Sequence, residues 1–310
     1  MPPDVVSLGE PLLELNATEA GALHEVRSFE VGWGGDTSNF AIAVSRMGGS
    51  VGYICRLGAD DFGQILLDLW LAEGIDTTHV TRDKDAPTGI YFISRRGETH
   101  SFTYYRKNSA ASHMTPDDVP EEYIADAKVF HTSGISQAIS NSACDAVFHA
   151  IKVARDAGVL VSYDPNVRLK LWGAQRARAI ILETISLADF VLPSLEDSKL
   201  ITGLRDPEAI ATQLLERGPR AIALKLGGEG VLLATSNEFQ YLEPFEVSFV
   251  DATGAGDAFD GAFIAAHLRG SPLPECVRFA NAAAALTTTG WGAVAPIPQR
   301  EDVEALIRSA

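Results

Sequence analysis

Apolar residues recur along the chain in two alternating rhythms. The runs VVSLG (5–9), VGYICRLG (51–58) and VLVSYD (159–164) are short and rich in β-branched residues, and they predict strands. Between them, NFAIAVSRMG (39–48), FGQILLDLWLAEG (62–74) and segments 141–158 and 174–185 carry the three-to-four spacing of helices. KVFHTSG (128–134), DFVLPS (189–194) and AIALKLG (221–227) continue the strand series. Strand and helix in alternation predict βαβ units and a mostly parallel sheet, and the continuous apolar runs predict strands covered on both faces. The expected fold class is α/β.

Two stretches break the rhythm. Residues 12–31 and the segment TGIYFISRRGETHSFTYYR (88–106) alternate polar and apolar positions, the second around a turn at Arg96, Gly97 and Glu98. A doubly covered parallel sheet has little use for half-polar strands. Both segments are expected to form a small antiparallel lid, inserted into a core made of residues 1–11, 32–87 and 107–310.

Length and charge narrow the partners. At 310 residues the chain can bury a full core as one large domain with a small appendage. Acidic residues outnumber basic ones by 41 to 25, so no face basic enough to follow a polyphosphate backbone is expected, and nucleic acid is not an expected partner. Cys55, Cys144 and Cys276 lie far apart with no CxxC pair, and they are expected as buried thiols. The start, MPPDVVSLGE, has no basic segment leading into a long apolar run, and no apolar run reaches the roughly 18 residues that span a bilayer. A cytoplasmic protein with no membrane partner is expected.

The candidate chemistry concentrates in VDATGAGDAFDG (250–261). Residues 248–250 read as the end of a strand, 258–268 as a helix with Phe259, Ala262, Phe263 and Ala266 on one face, and 253–256 as the loop between them. Unpaired amides, the helix dipole and glycines without a Cβ make such a loop a phosphate cradle, although neither GxxxxGK[ST] nor GxGxxG is present. Asp257 then has two readings. It complements the dipole in a first turn, as many aspartates do. Alternatively, beside a bound phosphate it takes the proton of an incoming hydroxyl, while Gly254, Ala255 and Gly256 hold the charge on the transferring group.

Two further groups bear on the substrate. Gly34 and Gly35, followed by Asp36 and Asn39, read either as a tight turn with a helix cap or as a turn that binds several hydroxyls. Arg106 ends the lid hairpin after Tyr104 and Tyr105, and Arg168 lies in YDPNVRLKLW just past a predicted strand end. Paired guanidinium groups suit a substrate carboxylate, and they equally suit salt bridges with the chain's own acids.

DATGAGDAF resembles the C-terminal signature of the ribokinase-like, or PfkB, carbohydrate kinases, usually D-T-x-G-A-G-D-x-F, with Ala252 and Thr253 standing where that pattern has Thr and a variable residue. GGDTSN (34–39) is similar to the family's GGxxxN sugar-binding turn and GADDFG (58–63) to its GxDxxG, so the resemblance spans essentially the whole chain. It implies a three-layer α/β core with a β-sheet lid, and ATP-dependent phosphoryl transfer to a sugar hydroxyl with Asp257 as catalytic base.

TGIY, YYR and DPNVRLKLW resemble the corresponding segments of the family's 2-keto-3-deoxygluconate kinases. That implies a sugar acid held by Gly34, Gly35, Asn39, Tyr91, Tyr104, Arg106, Arg168, Asp251 and Asp257, and phosphorylated on its 6-hydroxyl. A fructose-like ketose, a related sugar acid, or a catalytically silent sugar-binding protein are the alternatives. The resemblance also implies ATP contacts from Asn166, Ser194, Lys225, the turn Gly227 to Gly230, Gly254 and Gly256, with the helix of Asn281 flanking the base. Many relatives carry NxxE where this chain has Ser194, Leu195, Glu196 and Asp197, which leaves Asp197 as the expected contact to Mg²⁺ through water. A monovalent cation is a further expectation. Bare lid edges lead to an expected homodimer or higher homo-oligomer.

Overall fold

Strands Val5–Leu8, Val51–Gly58, Val129–Ser133 and Leu160–Asp164 pair in parallel within a nine-stranded sheet. The computed structural model describes residues 2–96 and 99–310, so Gly97 and Glu98 of the expected lid turn lie outside the described residues. In space the sheet runs Phe239–Leu242, Val231–Thr235, Ala221–Lys225, Phe190–Val191, Leu160–Asp164, Val129–Ser133, Val5–Leu8, Val51–Gly58, Val80–Asp83. Among the described residues of this sheet, only the two pairings made by Val231–Thr235 are antiparallel.

The central strands are covered on both faces, as their unbroken apolar runs require. In Val129–Ser133 the His131 ring stacks on Phe40 of helix Asp36–Arg46 at 3.6 Å, so Phe130 points to the other face, where helix Asn141–Asp156 packs. Helices Asp36–Arg46, Ala255–Leu268 and Leu273–Thr287 pack together on the first side, and Asn141–Asp156, Ala174–Leu187 and Leu195–Thr202 follow one another on the second. The result is a three-layer α/β core. Two helices of the first side cross in close contact. A Cβ at Gly261 would stand 2.7 Å from the Phe40 carbonyl oxygen, so only glycine lets helices Asp36–Arg46 and Ala255–Leu268 approach this closely.

Three local expectations need correction. DFVLPS contributes only the two-residue strand Phe190–Val191, because Pro193 has no amide for the ladder. Residues 248–250 form no strand: Val250 N donates to Thr288 O at 2.8 Å, so the segment docks on the end of helix Leu273–Thr287 instead of the sheet. The helix after the glycines begins at Ala255 rather than 258, since Gly254 turns the chain into it with a left-handed φ of 76°.

The second sheet has the order Phe29–Gly34, Leu12–Ala17, Ile90–Arg96, Thr99–Tyr105. Its outer pairings are antiparallel, but the central one, between Leu12–Ala17 and Ile90–Arg96, is parallel, which corrects the expected all-antiparallel lid. Both strands leave the core side by side, with Leu13 N bonded to Gly89 O at 3.1 Å, so two hairpins meet through like-directed strands. The first hairpin also runs to Gly34, past residue 31 where alternation alone ends it.

GADDFG fixes where the lid leaves the core. The Asp60 carboxylate caps helix Asp61–Ala72 through Gly63 N and also accepts from Thr88 N and Thr88 Oγ1, each at 2.8 Å. Burial pulls the Asp60 pKa up, but these hydrogen bonds outweigh it and hold the carboxyl below its usual range. Thr88 stands two residues before the lid strand Ile90–Arg96, so the motif latches the hinge. The three cysteines are free and buried, as expected. Among the described residues no helix is long and apolar enough to cross a membrane.

Candidate active site

The C-terminal ends of the parallel strands and the inner face of the lid enclose a cleft of about 1830 Å³. That exceeds the volume of a typical single-ligand pocket and suits two ligands side by side. Leu12, Tyr91 and Tyr104 line it from the lid, and Asp164, Lys225 and residues 251–257 from the core.

The glycine loop is built by Asp251, whose carboxylate accepts from Thr253 N, Thr253 Oγ1 and Gly292 N at 3.1, 2.8 and 3.2 Å. Asp251 lines the cleft, but these bonds commit it to shaping the backbone. A Cβ at Gly254 would meet Ala293 O at 2.4 Å, and its positive φ disfavours residues with a side chain as well. Ala255 N is taken by Ala252 O at 3.2 Å. The amides of Gly254, Gly256 and Asp257 keep no acceptor among the described residues, and they point the positive end of the helix at the cleft.

Asp257 stands in that first turn, half-buried, and accepts a 2.8 Å hydrogen bond from Asn39 Nδ2. The contact exists because helices Asp36–Arg46 and Ala255–Leu268 cross closely at Gly261. Burial first, then the neighbouring Asp36 charge, pushes the Asp257 pKa up to about 8, against the Asn39 hydrogen bond that lowers it. Asp36 is likewise raised by burial, and it accepts from Asn166 Nδ2 at 2.8 Å. Asn166 adopts φ 31°, a strained value for a residue with a side chain, and its amide is tied to Asp164 Oδ1 at 3.0 Å.

On the substrate side, Gly35 lines the cleft while Gly34 lies behind it, where a Cβ would stand 2.4 Å from the Tyr91 hydroxyl. That hydroxyl donates to the buried Glu14, and the Tyr91 ring stacks on Tyr104 at 5.4 Å. The two arginines are not equivalent. Arg106 is ion-paired with the fully buried Glu10, whose other oxygen accepts from Ser109 Oγ at 2.6 Å. Arg168 bonds only the Val167 carbonyl, at 2.9 Å, and makes no ion pair among the described residues. The Asn39 Oδ1 acceptor is buried and unpartnered among the described residues.

On the opposite side, Ser194, Asp197, Lys225, Gly227, Gly230 and Asn281 all line the cleft. Gly230 turns with φ 88°, and a Cβ there would stand 2.1 Å from Leu242 O. Asn281 Nδ2 donates to Glu243 O at 2.7 Å, which fixes the irregular segment against helix Leu273–Thr287. No three Asp, Glu, His or Cys side chains cluster into a ready metal site among the described residues. Asp197 offers one half-buried carboxyl, raised chiefly by desolvation, while Glu196 pairs with Lys199 at the surface. One such carboxyl fits hydrated Mg²⁺, which keeps several waters and needs few protein ligands.

Sequence reasoning missed Glu10, Asp164 and Asp260 as site groups. Asp164 ends a strand, and Asp260 follows Asp257 by three on one helix, so both positions carried a signal. Glu10 carried none: its pairing with Arg106 spans 96 residues.

Comparison with known proteins supplies the remaining findings. Residues 2–300 match the pattern of the pfkB family carbohydrate kinases. The chain is 36% identical to the 2-dehydro-3-deoxygluconokinase of Bacillus subtilis (strain 168), over 98% of this chain and 95% of that protein. It is 35% identical to Fructokinase-1 of Zea mays, over 99% of this chain and 98% of that protein. The crystal structure of a putative Ribokinase II from E. coli in complex with ATP and Mg²⁺ superposes with a TM-score of 0.92 at 28% identity, covering 99% of this chain and 100% of that one.

Proposed function

The chain belongs to the pfkB family of carbohydrate kinases, and from that premise we propose that it phosphorylates the 6-hydroxyl of 2-keto-3-deoxygluconate with ATP, giving 2-keto-3-deoxy-6-phosphogluconate and ADP. The observation that carries the proposal is the half-buried Asp257 carboxyl in the first turn of a helix whose free amides face the same cleft as an arginine with no ion pair among the described residues.

The sugar hydroxyl oxygen attacks the γ-phosphorus, its proton passes to Asp257, and the bond to the β-phosphate oxygen breaks with its electron pair leaving on ADP. A base with a pKa near the working pH is well matched to that transfer. The amides of Gly254, Gly256 and Asp257 stabilise the charge on the moving group. Bound Mg²⁺ would neutralise phosphate charge, held through water by Asp197. Support for ATP and Mg²⁺ comes from the E. coli complex.

Arg168 supports the sugar-acid reading, because a cation facing the cleft that is held in no ion pair among the described residues is suited to a carboxylate brought by the substrate. The orphaned Asn39 Oδ1 suits a substrate hydroxyl. The similarity to the Bacillus subtilis enzyme points the same way. A second reading, a neutral ketose as in the Zea mays fructokinase, draws on Glu10, which already neutralises Arg106. Steady-state kinetics with 2-keto-3-deoxygluconate and fructose decide between them: the sugar-acid reading requires the higher kcat/KM for the acid.

The edge strands Phe29–Gly34 and Thr99–Tyr105 carry exposed Val31 and Tyr105, and this supports self-association through the lid. A monomer mass at all concentrations in solution would reject it.

A further inference from the structure

Beneath the glycine loop, three ionisable side chains meet, none of which carries the proton transfer described above. Lys225 ends strand Ala221–Lys225, and its Nζ lies 3.2 Å from Asp164 Oδ2 and 3.0 Å from Asp260 Oδ1. Asp260 is 1% exposed and Asp164 6%. The backbone of Gly256 passes directly over the ammonium: a Cβ there would stand 3.4 Å from Nζ.

Two buried carboxylates and one ammonium would leave a net negative charge under a loop whose free amides suit an anion. The charges balance if one carboxyl keeps its proton. Burial pushes Asp260 well above its usual range, whereas for Asp164 the attraction of Lys225 and a hydrogen bond from Asp260 outweigh burial and hold it low. For Lys225, burial alone lowers the pKa, but Asp164 and Asp260 more than offset it. The cluster is then neutral, with Asp260 donating to Asp164 and accepting from Lys225. An ammonium has three N–H donors, two of which are committed here. The third remains for the cleft that Lys225 lines.

We infer that Asp260 is a positioning residue of the nucleotide site: together with Asp164 it holds the Lys225 ammonium beneath Gly256, aimed at the phosphates of the bound nucleotide. The inference rests on reading the glycine loop as the phosphate site of a kinase. Asp260 touches no substrate and acts through Lys225. A merely structural residue would affect stability and both substrates alike, whereas a positioning residue acts on the nucleotide alone.

The test titrates ATP calorimetrically into the wild-type protein, Asp260→Ala, Asp260→Ser and Asp260→Asn, with KM for the sugar measured alongside. Loss of a charge-assisted hydrogen bond predicts ATP binding weakened by about 10- to 100-fold in the Ala and Ser variants, with the sugar KM little changed. Asp260→Asn, whose amide can both donate to Asp164 and accept from Lys225, is expected to recover most of the lost affinity. Equal loss for ATP and sugar, no loss for ATP, or failure of both small variants to fold would overturn the inference. A wild-type protein that binds ATP but phosphorylates no sugar would refute the kinase reading alone, leaving the titrations to decide the role of Asp260. A wild-type protein that binds no ATP would refute both.

Discussion

The Asn39 amide donates to the Asp257 carboxylate at 2.8 Å across 218 residues of chain, joining the GGDTSN turn to the glycine loop. The bond lowers the Asp257 pKa against burial and the Asp36 charge. Removing it with Asn39→Ala should raise that pKa further, so the base is protonated over a wider range. At a pH well below the pKa, raising the pKa by about one lowers the ionised fraction of the base roughly tenfold. The pH profile of kcat/KM should therefore move to the alkaline side, with turnover at pH 7 reduced and the KM for ATP nearly constant. An unmoved profile would show that Asn39 does not tune Asp257.

Asp257→Asn should lower kcat by about 10²- to 10⁴-fold while sugar binding survives. It should also stabilise the fold. With a folded pKa of about 8 against the usual 3.8, the carboxyl contributes stability that is present below pH 3.8 and lost as pH rises through 8, because the unfolded chain ionises first. Replacing it with a neutral amide removes that loss, and Tm at pH 8 should rise on the order of a few °C. Melting curves for both proteins at pH 5 and pH 8 check the sign: the gap should widen at the higher pH.

Much of this site could be read along the chain, and the reason is local. Gly254 had to be glycine because one turn demands a positive φ, and Asp257 had to face the cleft because it opens a helix. The α/β core followed from apolar runs such as VGYICRLG, whose strand matches its expected bounds. What stayed hidden depends on contacts between distant segments. Nothing near Arg106 marks Glu10 as its partner, and nothing in VSFV reveals that Val250 bonds a helix end rather than a strand. The parallel junction of the lid hairpins was hidden too, since alternation fixes which face a residue takes but not which strand lies beside it.

The arginines should separate in mutagenesis. Arg168→Leu removes a cation with no ion-pair partner among the described residues, so it should raise the KM for a sugar acid roughly 10- to 100-fold and leave Tm nearly unchanged. Arg106→Leu strands the buried Glu10, a change that typically costs about 3–5 kcal/mol, so its main effect should be a lower Tm. Kinetics and melting on both variants test the split, and a shared phenotype would contradict it.

Gly254→Ala should damage the loop twice. A left-handed conformation costs a residue with a Cβ about 1–2 kcal/mol, and the new Cβ would press on the Ala293 carbonyl. A lower Tm and weaker ATP binding are expected together. Gly256→Ala, whose Cβ would meet only Lys225 Nζ at 3.4 Å, should keep its Tm and lose ATP affinity.

The most direct measurement is ADP release by the unmodified protein with ATP and Mg²⁺, supplied in turn with 2-keto-3-deoxygluconate and fructose. A half-buried base at Asp257 and an Arg168 without an ion-pair partner among the described residues predict turnover with both substrates and a kcat/KM higher by at least about tenfold for the acid. A preference for fructose would overturn the substrate, and silence with every sugar tried would overturn the kinase.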